Sequence, residues 1–153
     1  MRTAARNGRV LPTHLRRHLL LGTSGLAVLQ LVHLLDALRY SDDESVPGLL
    51  TSPAAVIGIG TVTVAFVLLL RSRPSARRWT IVAGGLIALG FVENHVVPAH
   101  LGGSNPYFTF EDGNRADWFR WLTVLALIAL GSWTAWTAWR AGRTSPAHAT
   151  AST

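Results

Sequence analysis

Residues Pro53 to Leu70 read Pro-Ala-Ala-Val-Ile-Gly-Ile-Gly-Thr-Val-Thr-Val-Ala-Phe-Val-Leu-Leu-Leu. In water, a run so rich in Val, Ile and Thr reads as a β-strand. In lipid, a lone strand leaves its backbone N–H and C=O groups unpaired, and a helix is the element that satisfies them within one segment. The solvent therefore decides the fold, and composition decides the solvent. Apolar residues are 49% of the chain and charged residues 14%, against roughly 25% charged in soluble domains. The run is a membrane-spanning helix.

Three further runs have the same character. Working outward, Arg71–Arg78 is a short basic turn, and Pro74 and Ser75 mark the start of a span over 79–97. Pro98 ends it. Ahead of Pro53, an apolar run from His18 to Leu38 is long enough for about 20 residues of spanning helix. Arg16-Arg17 precedes it as in an export signal, but Leu31–Leu38 has no small-residue cleavage pattern, so it reads as an uncleaved first span. The fourth span is 118–139, with Trp118 and Trp121 at one end and Trp133, Trp136 and Trp139 at the other. That spacing is an aromatic belt at both lipid–water boundaries rather than an aromatic ligand box. The expected organisation is a basic cytoplasmic flank (1–17), an all-α domain (18–140) forming an antiparallel four-helix transmembrane bundle, and a disordered cytoplasmic tail (141–153).

Charge sets the expected orientation. The net charge of +6 comes from 14 arginines and no lysine. Eleven of them lie in the N-terminal flank, the 71–78 turn and the C-terminal flank. The other two loops, the second taken to about Ala116, carry Arg39 and Arg115 against five acids, Asp42, Asp43, Glu44, Glu111 and Asp112. The positive-inside rule then puts both termini in the cytoplasm of a bacterial cell and the acidic loops outside the inner membrane. Arginines confined to short flanks between apolar runs fit a membrane surface, and nucleic acid is not expected as a partner. With no cysteine, thiol chemistry and disulfides are excluded.

Small residues predict where helices meet. Ala54 and Gly58 form a small-xxx-small pair, and Gly84, Gly85 and Ala88 are expected to face another helix. Threonines 61, 63, 123, 134 and 137 can bond back to their own helices.

Ionisable groups inside a span are functional candidates by default. Gln30, His33 and Asp36 recur every three residues near the end of the first span, and so share a broad face. Glu93, Asn94 and His95 end the third span, with His100 just beyond Pro98. His33 and Glu93 fall at the same depth and are expected to face each other, with Arg120 reaching the same layer. His95 points nearly opposite Glu93 if the helix stays regular. His33, Asp36, Glu93, His95 and His100 are the candidate metal ligands, since imidazole and carboxylate suit transition metals. His33 and His95 are also candidate axial ligands for haem.

The favoured reading is a non-enzymatic accessory or interaction protein whose polar cluster is structural. It would sit in the bilayer beside a membrane-protein partner or a second copy of itself. The alternative is a transition-metal or haem-binding protein. Third is acid–base chemistry on a membrane lipid, with Glu93 desolvated and Asp36 orienting His33.

Overall fold

The computed structural model describes residues 11–40, 53–102 and 118–143. All regular structure in them is helical. The helices are α1 (Thr13–Tyr40), α2 (Pro53–Leu70), α3 (Ala76–Phe91) and α4 (Trp118–Arg140). Helix α3 runs on into a π-helical turn, Val92–Val96, and a 3-10 turn follows at Ala99–Leu101. All four helices, α3 taken together with its π turn to Val96, are long and apolar enough to cross a membrane. Residues 1–10, the acidic residues of the two loops and the tail beyond residue 143 lie outside the described residues. Helix α1 begins at Thr13, ahead of the expected start at His18, and takes in His14, Arg16 and Arg17.

The chain is an antiparallel four-helix transmembrane bundle. Gly22 meets Thr134 and Gly25 meets Leu130, so α1 and α4 run in opposite directions. Gly84 meets Ala135 and Ala88 meets Gly131, which does the same for α3 and α4. Around the bundle the neighbours are α1–α2, α2–α3, α3–α4 and α4–α1, with α1 and α3 touching across the diagonal.

The surface is that of a protein in lipid. Leu21, Val28, Leu31 and Leu35 of α1 are exposed, as are Val56 and Ile57 of α2, Leu86 and Leu89 of α3, and Leu122 and Leu125 of α4. In water such apolar faces on every helix would drive aggregation; against acyl chains they cost nothing. The multi-pass membrane reading therefore stands.

Two apolar clusters fill the interior. Leu19, Leu69, Ala76 and Ala138 pack near the start of α1. Leu26, Val62, Ala65, Ala83, Ile87 and Leu127 pack in the middle. The arginine-rich turn between α2 and α3 is closed by Ser72 N–H to Leu69 O (3.1 Å) and Arg73 N–H to Leu68 O (2.9 Å). With Ser72 at φ 51°, these two bonds form a Schellman cap. Arg16 of α1 donates to the Ser72 hydroxyl and ties the first helix to this turn.

Close approach is built on glycine. A Cβ on Gly84 would stand 2.5 Å from the Gly131 carbonyl oxygen and 2.9 Å from the Ala135 nitrogen. Backbone atoms cannot yield as a side-chain tip can, so α3 and α4 touch only because both residues lack side chains. Gly85 corrects the expectation from sequence: it faces open space, while Gly84 and Ala88 carry the contact. On α2, Gly58 packs against Gln30 and Ile87, but Ala54 is exposed.

Candidate functional site: a polar layer at one end of the bundle

The polar layer begins where the apolar core stops. Along α1, Gln30, His33 and Asp36 climb one side of the interior, rising about 9 Å from first to last. Each meets a different neighbour.

Gln30 is 7% exposed. Its amide nitrogen lies 2.6 Å from where a Cβ on Gly58 would stand, so the missing side chain on α2 makes its space. Its Oε1 is buried and has no hydrogen-bond partner among the described residues.

One turn on, His33 crosses the diagonal to α3. Its ring lies 4.9 Å from that of Phe91 and 5.2 Å from that of His95, both edge to face. Phe91 and His95 are themselves 5.5 Å apart, so the three rings form one aromatic cluster. The His33 Nδ1 has no hydrogen-bond partner among the described residues. Asn94 Nδ2 lies 3.2 Å from His95 Nε2. With the amide as donor, Nε2 accepts and the ring proton of neutral His95 sits on Nδ1.

A further turn on, Asp36 pairs with Arg120 of α4. The Nε–Oδ2 distance is 3.1 Å, and both side chains are buried. An isolated charge in such a place costs many kcal/mol, and pairing with a hydrogen-bonded opposite charge offsets most of it. Thr123, three residues along α4, bonds back to Phe119 O at 2.8 Å.

The π turn explains which residues of α3 reach this layer. On a regular helix each step of four residues drifts about 40° around the axis. Ile87, Phe91 and His95 are four apart, and by His95 the drift would carry the side chain off the face that Ile87 buries. A π turn has one residue more per loop of hydrogen bonding, here closed by Val97 N–H to Val92 O at 2.9 Å. The wider turn takes up the drift. His95 stays inside, 4% exposed, and Glu93 is exposed.

The five candidate ligands consequently divide. His33 and His95 come together. Asp36 is engaged with Arg120. Glu93 is exposed and His100 stands exposed on the 3-10 turn. Among the described residues no group of three or more His, Asp or Glu is placed to hold a metal ion. The expected facing of His33 and Glu93 is corrected to His33 and His95, because the π turn alters the register on which that expectation rested.

Two members of the layer were not foreseen from sequence. Phe91 supplies a ring against both histidines, and its signal was the four-residue spacing to His95. Gly58 gives Gln30 its room, and its signal was the small-residue pair on α2. Arg120 was expected in the layer, though not as the partner of Asp36.

The chain has no significant match among protein-family models, curated proteins or solved structures.

Proposed function

We propose that the chain is a non-enzymatic accessory or interaction protein of the bacterial inner membrane, with both termini cytoplasmic and the polar layer toward the outer face. The Asp36–Arg120 ion pair is the observation that carries this reading. Among the described residues, the buried carboxylate and the buried guanidinium pair with each other across α1 and α4. A polar pair at one fixed depth can specify which residues of two apolar helices meet, as polar groups set register in coiled coils. The work of such a protein lies on its outer faces, which every helix presents as bare apolar surface.

The test is photo-crosslinking in native membranes, with the probe placed in turn at Leu31, Ile57, Leu89 and Leu125. An accessory role predicts one discrete protein adduct, confined to one or two faces. Lipid adducts alone from all four faces would sink it.

A transition-metal reading keeps one supporting observation, the His33–His95 ring pair. Neutral imidazoles this close can share one ion. A haem plane has no room between rings in edge-to-face contact at 5.2 Å, so of the two cofactor expectations only the single ion retains geometric support. Metal analysis of the purified protein tests it: stoichiometric metal lost in His33→Phe would replace the structural reading with this one.

A further inference from the structure

The opposite end of the bundle carries a second organised site. Trp136 and Trp139 lie together near the end of α4, ring centroids 4.8 Å apart. The Arg140 guanidinium stands 5.7 Å from the Trp136 ring, and that of Arg143 lies 3.8 Å over Trp139. These four residues line an open cleft of about 330 Å³, at the small end of ligand-sized cavities.

Stacking on indole fixes a guanidinium by its flat face and leaves its N–H edge directed outward. That edge matches a phosphate, which takes two parallel hydrogen bonds from it. The surroundings favour an anion too. Arg16, Arg17, Arg71, Arg73, Arg77 and Arg78 belong to this end, and the acids among the described residues, Asp36 and Glu93, lie at the other. Arg77 lies against Gly142, just past the end of α4.

What distinguishes a lipid from a free anion is the surface leading to the cleft. Ala129, Trp133 and Trp136 are all exposed, and their spacing puts them along one side of the inner half of α4. An acyl chain lying on this stripe would run from mid-membrane straight to the two arginines. The tryptophans mark the depth of the headgroups.

We infer that the cleft formed by Trp136, Trp139, Arg140 and Arg143 binds the phosphate headgroup of an anionic phospholipid, whose acyl chains lie along the exposed side of α4.

Native mass spectrometry of the detergent-solubilised full chain tests this with phosphatidylglycerol and phosphatidylcholine of equal chain length. The wild type should retain phosphatidylglycerol at least tenfold better. Arg140→Gln/Arg143→Gln should weaken that retention about thirty-fold, since each arginine near a lipid surface is worth about fivefold. Arg71→Gln/Arg78→Gln removes the same charge from the same end and should change it threefold at most. Equal losses in the two double variants would show diffuse attraction and overturn the site. Equal retention of the two lipids by the wild type, a measurement that needs no variant to fold, would overturn it as well. Displacement of phosphatidylglycerol by millimolar inorganic phosphate would make the cleft a free-anion site and refute the lipid.

Discussion

Asp36 and Arg120 show what a single residue can do inside a bilayer. Either charge alone is expensive there, so each is tolerable only because the other is present. Removing one partner leaves the survivor buried and uncompensated, which typically costs about 3–5 kcal/mol. Asp36→Asn and Arg120→Gln should therefore each lower the melting temperature of the detergent-solubilised protein sharply. The double variant should lose less than the sum of the two, with a coupling of about 1–3 kcal/mol between contacting residues. Additive losses would mean that the pair does not hold α1 to α4. His33 differs in kind. Its contacts are rings, and His33→Phe keeps their shape while removing the buried Nδ1 that has no partner among the described residues. That variant should be as stable as the wild type or more so, by thermal melt, because an unsatisfied buried polar atom costs about 1–3 kcal/mol.

At the scale of the element, the glycines of α3 separate two roles that share one residue type. Gly84 presses its backbone on that of Gly131, and Gly85 faces open space. Gly84→Ala should cost about 1–3 kcal/mol as overpacking forces the helices apart. Gly85→Ala should be neutral or gain up to about 1 kcal/mol from helix propensity. Thermal melts of the two variants side by side make the comparison. Nothing in the sequence could tell the two glycines apart. In water, an amphipathic stripe shows which side of a helix is buried; in lipid, both sides are apolar, and helix rotation leaves almost no trace. The helices themselves were plainly legible, because the length of an apolar run and the Pro and Arg residues that bound it do not depend on rotation. Gly58 and Ala88 were read correctly for their size, and Gly85 incorrectly for the same reason. Glu93 and His95 were exchanged for a further cause: five residues with i→i+5 bonding carry no sequence mark.

The whole molecule has unlike ends. One is wrapped in arginine and tryptophan over an aliphatic core. The other holds a buried ion pair and two histidines, with the acid-rich loops attached to it in sequence. This polarity along the bundle axis is what the proposed orientation rests on. A periplasm-active reporter fused after Thr153 should be silent, and one inserted near Ser104 should be active. The opposite pattern would invert the orientation and place the phospholipid cleft in the outer leaflet, while leaving the helix packing untouched.

The π turn at Val92–Val96 also has a consequence for the length of the chain. It is, in effect, a helix holding one surplus residue. Loss of a residue there would let the wide turn close to an ordinary one, with His95 still near its present direction. Loss of a residue within the regular part of α3 would instead turn every later side chain by about 100°. Deletion of Glu93 should leave a monodisperse, cooperatively melting bundle, and deletion of Leu86 should not. If so, this turn is a place where the protein can shed or acquire a residue without refolding, a seam along which its length can vary while its interior is kept.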